Sequence, residues 1–308
     1  MSDLICFGEP MLEFNQLPDE GDGRRLYLEG FGGDASNAAI AAARSGARVA
    51  MLTALGEDRA GAAFRALWRA EGVDDAPTRS DPAAPTGIYF VTHDERGHHF
   101  TFHRSGSAAA RLGPGSLPEA AIRGARALHL SGITLGISAA SCDAAFRAME
   151  VAREAGVTVS FDTNLRLRLW PLARARACIQ AAIAMADLCF PSLEDAQALT
   201  GLDTPDSIAD AYLALCPLVL LKLGPEGVLV ATRERRARIP GFPVRAVDAT
   251  GAGDTFAGAF LARRLAGEAV EAAARYANAA AALSTQGYGA VAPIPREADV
   301  TRFLAERG

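Results

Sequence analysis

A chain of 308 residues, half of them hydrophobic, can bury a large core and has room for one large α/β domain or two small ones. Its formal net charge of −5, with no basic run, RNA-binding aromatic signature or zinc spacing, argues against a nucleic-acid partner. There is no signal-peptide pattern, no apolar stretch of the roughly 18–20 residues that a bilayer requires, and five scattered cysteines form no Cys-x-x-Cys pair. The expectation is a cytoplasmic protein without a membrane partner.

The chain opens on Leu4-Ile5-Cys6-Phe7, a short apolar run ended by Gly8, as in a buried strand. Residues 21–33 are polar and glycine-rich. A helical pattern follows from Ser36 to Arg44, stopped by Gly46, then a strand at Val49–Leu52 and a helix at Ala60–Glu71, stopped by Gly72. Between Thr86 and Phe102 two strand-like runs flank the polar turn Asp94-Glu95-Arg96-Gly97, the pattern of a hairpin.

From Ala127 onward strands and helices alternate. Strands are expected at Ala127–Leu130, Val157–Asp162, Leu188–Phe190 and Leu218–Lys222, with a hairpin-like pair at Val228–Thr232 and Ala237–Ile239. Helices are expected at Ala139–Glu154, Ala173–Ala186, Leu193–Leu199, Ile208–Leu215, Thr255–Leu265 and Ala269–Ser284. Such alternation predicts an α/β fold with a mostly parallel sheet between helical layers. Two segments, about 12–33 and 84–107, do not fit it and read as a small β flap on a single unit spanning 1–308.

The most chemically loaded stretch is Asp248-Ala-Thr-Gly251-Ala252-Gly253-Asp254, leading straight into the helix expected from Thr255. Small residues at a helix start leave backbone N–H groups and the helix dipole facing an anion, which suits a phosphoryl group in transit. Asp254 is placed to take a proton from an attacking hydroxyl. It could equally cap the helix, and the residues alone do not choose. The spacing is neither that of a P-loop nor the dinucleotide Gly-x-Gly-x-x-Gly.

This stretch resembles the C-terminal signature of the ribokinase/PfkB carbohydrate kinases. Gly32-Gly33-Asp34-Ala35-Ser36-Asn37 resembles that family's first glycine motif, and Lys222-Leu-Gly224-Pro-Glu-Gly227 its nucleotide-side turn. The resemblance spans nearly the whole chain. It implies a ribokinase-like three-layer sandwich with a β-strand lid, ATP and Mg²⁺ as cofactors, Asp254 as catalytic base, and Gly251, Ala252 and Gly253 as a backbone anion hole. It places Lys222, Gly224, Gly227 and Asn278 beside the nucleotide. Ser192 and Asp195 stand where many members carry Asn and Glu near the metal, a contact expected through water. Helix capping by Ser192 reads equally well from the residues.

Within the family, the segments around Gly8–Phe14, His129–Thr134, Phe102–Ala108 and Asp162–Trp170 resemble the 2-keto-3-deoxygluconate kinases. That likeness implies substrate contacts from Gly33, Tyr89, Phe102, Arg104, Ile133, Arg166 and Asp254, with Arg104 and Arg166 offering donor forks to a sugar-acid carboxylate. Either arginine could instead be surface or ion-paired. Phe102 stands where relatives often have Tyr, which removes one hydroxyl; His103 is the candidate to replace it. Fructokinase is the competing enzyme reading, and a non-catalytic sugar-binding regulatory protein the competing class. The apolar strand Ile88-Tyr89-Phe90-Val91 suggests a homo-oligomer formed through the lid.

Overall fold

The structure is a computed structural model and describes residues 2–17, 24–94 and 97–307; residues 18–23 and the centre of the 94–97 turn lie outside them. The strands in chain order begin with β1 (Leu4–Phe7), β2 (Met11–Gln16), β3 (Tyr27–Gly32), β4 (Val49–Leu52) and β5 (Ala54–Gly56). Next come β6 (Val73–Asp74), β7 (Arg79–Asp81), β8 (Gly87–Asp94), β9 (Gly97–His103) and β10 (Ala127–Ser131). The last five are β11 (Thr158–Asp162), β12 (Leu188–Phe190), β13 (Leu218–Lys222), β14 (Gly227–Ala231) and β15 (Arg236–Pro240).

Nine of them form one sheet in the order β15-β14-β13-β12-β11-β10-β1-β4-β6, parallel except for the β13–β14–β15 edge. Strand β1 shows why its sequence is apolar throughout. Ile5 and Phe7 enter one core and Leu4 and Cys6 the other, because both faces of a parallel sheet are covered.

The helices supply those two layers: α1 (Asp34–Arg44), α2 (Arg59–Glu71), the short α3 (Glu119–Arg123) and α4 (Gly132–Gly136), then α5 (Ala139–Glu154) and α6 (Leu172–Met185). They continue as α7 (Leu193–Thr200), α8 (Pro205–Leu213), α9 (Ala252–Leu265), α10 (Val270–Ser284) and α11 (Glu297–Ala305). The core holding Ile5 and Phe7 takes residues of α5–α8; the other takes residues of α1, α2, α9, α10 and α11. No helix among the described residues is long and apolar enough to cross a membrane.

The expected elements fall within a few residues of the observed ones, with one shift that matters: α9 starts at Ala252, so Asp254 lies inside its first turn. Pattern reading missed α11, α3, α4, β6 and the two-stranded β5–β7 sheet.

The two misfit segments form a second sheet in the order β3-β2-β8-β9. Its register puts Glu13 opposite Gly30 and Tyr89, and Tyr89 opposite Phe102. Alternation therefore places Glu13, Tyr89 and Phe102 on one face and His103, which meets Phe90 edge-on, on the other. His103 cannot stand in for the hydroxyl missing from Phe102.

Helices α1 and α9 touch backbone to backbone at one point. A Cβ on Gly258 would lie 2.2 Å from the carbonyl oxygen of Ala38 and 2.9 Å from the Cβ of Ala41. The alanines of α1 and the glycine of α9 are thus a steric requirement of the interface. Gly258→Ala is expected to lower stability by about 1–3 kcal/mol through overpacking, read as a lower denaturant midpoint at unchanged slope.

Candidate active site

In an open α/β sheet, ligands sit beyond the carboxyl ends of the strands where strand order reverses. Here the chain runs from β1 outward to β4 and β6, then restarts at β10 on the other side of β1, so the crevice opens between β1 and β10. Glu9 follows β1, Ser131 ends β10, Asp162 ends β11, and Lys222 ends β13. The residues of interest gather at this one end of the sheet.

Gly251 precedes α9 in the left-handed region (φ 75°) and no side chain caps the helix. Asp254 is therefore not the cap. Its carboxylate accepts a hydrogen bond from Nδ2 of Asn37 on α1 at 2.8 Å. Burial pushes its pKa up to about 7, and the nearby negative charges of Asp34 and Asp162 push the same way, while the Asn37 bond and Lys222 oppose them. A carboxylate half-protonated near neutrality is a matched proton acceptor for a hydroxyl. Gly253 faces Nζ of Lys222, which a Cβ there would approach to 3.2 Å, and Gly251 stands against Ala290. Bare backbone at a helix start beside an ammonium fits the phosphate groups of a nucleotide.

Two neighbours of this centre were not singled out from sequence. Asp34, buried, accepts from Ser131 Oγ and from Asn164 Nδ2 (3.2 Å) on one oxygen, and Oδ1 has no partner among the described residues. Asn37 is buried too, and its Oδ1 is likewise without a partner. A buried acceptor without a protein donor calls for one from water, an ion or a ligand. The available signal was spacing: Asp34 and Asn37 are three residues apart on the first turn of α1, hence on one face.

On the nucleotide side, Lys222 Nζ donates to Asp162 at 2.6 Å in a nearly buried ion pair. Gly227 (φ 100°) is forced by backbone, since a Cβ would lie 2.2 Å from the carbonyl of Ile239, whereas Gly224 (φ 59°) opens to empty space. Asn278, expected beside the nucleotide, is buried and its amide donates to the carbonyls of Ile239 (3.1 Å) and Pro240 (3.2 Å). Its amide fastens the end of β15 to α10.

On the opposite side, Gly33 (φ 103°) is a glycine because a Cβ would meet the carbonyl of Glu9 at 2.4 Å. Packing against the backbone of Glu9 and Pro10 is enough by itself to require glycine here. Tyr89 gives its hydroxyl to Glu13 and lies over Gly32, and Phe102 stacks obliquely on it at 5.6 Å. Ile133 takes its place on α4, half-buried, its amide donating to Ser131 Oγ at 3.1 Å.

The two expected donor forks are both changed. Arg104 is ion-paired with the buried Glu9, Nε donating at 2.7 Å. Arg166 is exposed and bonds the carbonyl of its neighbour Leu165 at 2.9 Å. Arg168, by contrast, crosses to the small sheet and donates to the carbonyl of Phe100 at 3.1 Å.

Ser192 caps α7 by accepting from the Asp195 amide at 3.2 Å. Asp195 accepts from the Leu165 amide at 2.9 Å, and burial raises its pKa. No group of three or more metal-ligating side chains occurs among the described residues. A magnesium ion reaching Ser192 and Asp195 would do so through water and phosphate, as this small, strongly hydrated ion commonly does.

Comparison with known proteins identifies the family. Residues 1–297 match the pfkB family carbohydrate kinase model. The chain is 34% identical over 316 residues to fructokinase-1 of Oryza sativa subsp. japonica, covering 98% of this chain and 97% of the relative. It is 35% identical over 316 residues to 2-dehydro-3-deoxygluconokinase of Thermoproteus tenax, covering 97% and 94%. A putative ribokinase II from E. coli, solved in complex with ATP and Mg²⁺, superposes with a TM-score of 0.91 at 25% identity over 99% of this chain and 100% of that one. With a family match over nearly its full length and relatives above 30% identity, this chain belongs to the pfkB family of carbohydrate kinases.

Proposed function

We propose that this carbohydrate kinase transfers the γ-phosphoryl group of ATP to the primary hydroxyl of 2-keto-3-deoxygluconate, giving the 6-phospho sugar acid and ADP. The observation that carries the reading is Asp254, a desolvated carboxylate within the first turn of α9, beside bare glycine backbone and Lys222. Asp254 takes the hydroxyl proton as the oxygen attacks, and the Gly251–Gly253 amides with Lys222 stabilise the charge on the transferring group. Ser192 and Asp195 are the residues that would hold a hydrated Mg²⁺, which when bound would neutralise charge on the ATP phosphates.

The open oxygens of Asp34 and Asn37 accept sugar hydroxyls close to Asp254. Arg104 addresses the carboxylate with the guanidinium edge that Glu9 does not engage, Glu9 holding Nε and Nη2. The small sheet acts as the lid over this substrate. The second reading, a neutral hexose such as fructose, draws on a specific feature: Glu9 already neutralises Arg104, which weakens its pull on a carboxylate. A sugar-binding protein without activity has no use for a carboxylate tuned near neutrality.

A substrate panel with ATP and magnesium decides. The sugar acid is expected to give the highest kcat/KM, and a higher value for fructose would replace this substrate with the neutral one.

Exposed large side chains concentrate on the small sheet: Leu17, Leu26, Leu28, Phe100 and Phe102. We propose that they pair two copies of this cytoplasmic enzyme lid to lid. Light scattering is expected to give a dimer that Leu28→Asp with Phe100→Asp converts to monomer; a monomeric wild type would refute the pairing.

A further inference from the structure

Glu9 is a carboxylate only 1% exposed, directly after a core strand. Through Oε2 it accepts from both Nε and Nη2 of Arg104, and through Oε1 from the hydroxyl of Ser107. The same group keeps Gly87 bare, since a Cβ there would stand 2.9 Å from Oε1. One carboxylate anchored on β1 thus meets the start of β8, the residue just after β9 and the turn beyond it. These are the points where the small sheet joins the body.

A buried ion pair is a weak source of stability, because desolvating both charges offsets their attraction; its better-attested use is to fix geometry. A long arginine side chain has many rotamers, and here the Nε–Nη2 edge of the guanidinium is clamped by Glu9 while its plane lies over the Phe102 ring at 5.9 Å. Ser107 in turn restrains Glu9 from its other oxygen, so the clamp is held on both sides.

We infer that Glu9 is a positioning residue for sugar recognition, holding Arg104 so that its remaining N–H edge meets the substrate. This rests on Arg104 being a substrate contact, as proposed above. The carboxylate neither touches substrate nor takes part in phosphoryl transfer. Its loss therefore affects sugar binding and leaves the nucleotide side alone.

The test is a double-mutant cycle with Glu9→Gln, Arg104→Gln and the double variant, measuring KM for the best sugar of the panel, KM for ATP and kcat. Glu9→Gln is expected to raise the sugar KM about tenfold, with ATP KM and kcat within about twofold, and to add nothing in the Arg104→Gln background. Equal fold-changes in both backgrounds, or a silent Glu9→Gln beside a damaging Arg104→Gln, overturn the inference and leave Arg104 as a contact. A silent Arg104→Gln overturns the contact itself, and the inference with it. Should Glu9→Gln not fold, Ser107→Ala loosens the same clamp. Its expected rise of about two- to threefold in sugar KM must vanish in the Arg104→Gln background, and a rise of equal size there, or no rise at all, counts against the inference.

Discussion

Asn37 reaches Asp254 at 2.8 Å because the helices that carry them meet backbone to backbone close by, at Ala38, the next residue of α1, and Gly258, one turn on in α9. Six of the nine buried residues of α1 are alanine or serine, and α9 meets Ala38 and Ala41 through the bare Gly258. Larger residues at this contact would force the helices apart and with them the two polar side chains. The same closeness removes water from Asp254, and that desolvation is the largest cause of its raised pKa. A packing constraint and a chemical property therefore share one origin.

Charge around this point is arranged in compensated pairs. Asp162 is matched by Lys222, and Glu9 by Arg104. Asp34 accepts hydrogen bonds from Ser131 and Asn164 and from no cation among the described residues. Its negative charge is one cause of the raised pKa of Asp254, and its Oδ1 has no partner among the described residues. Asn164 reaches Asp34 from the single non-glycine residue with positive φ among the described ones (φ 30°), a conformation that Asn tolerates because its side chain can bond locally.

The layered fold was legible because strands buried on both faces are apolar throughout and helices carry glycine stops, as at Phe7–Gly8 and Glu71–Gly72. The glycine stretch before α9 was legible for the same local reason. What stayed hidden lies in long-range pairing. Asn37 and Asp254 are 217 residues apart, and Arg104 and Glu9 are 95 apart, so no window of sequence shows that one arginine fork is half engaged. The resemblance set Asn278 beside the nucleotide, and its bonds to two carbonyls of β15, 38 and 39 residues away, were equally out of sight. Helix α11 was missed although Val300 and Phe303 have helical spacing, because nine residues make a weak pattern.

The central claim is that Asp254 is the proton acceptor of a phosphoryl transfer. It is tested most directly by the pH profile of kcat/KM for the wild type and for Asp254→Asn under ATP and magnesium. The base works ionised, so the wild-type rate should climb with pH and level off above an inflection near 7. Asp254→Asn should lie about 10²–10⁴-fold lower and lose that limb. Wild-type turnover in Asp254→Asn, with the limb intact, would contradict the account.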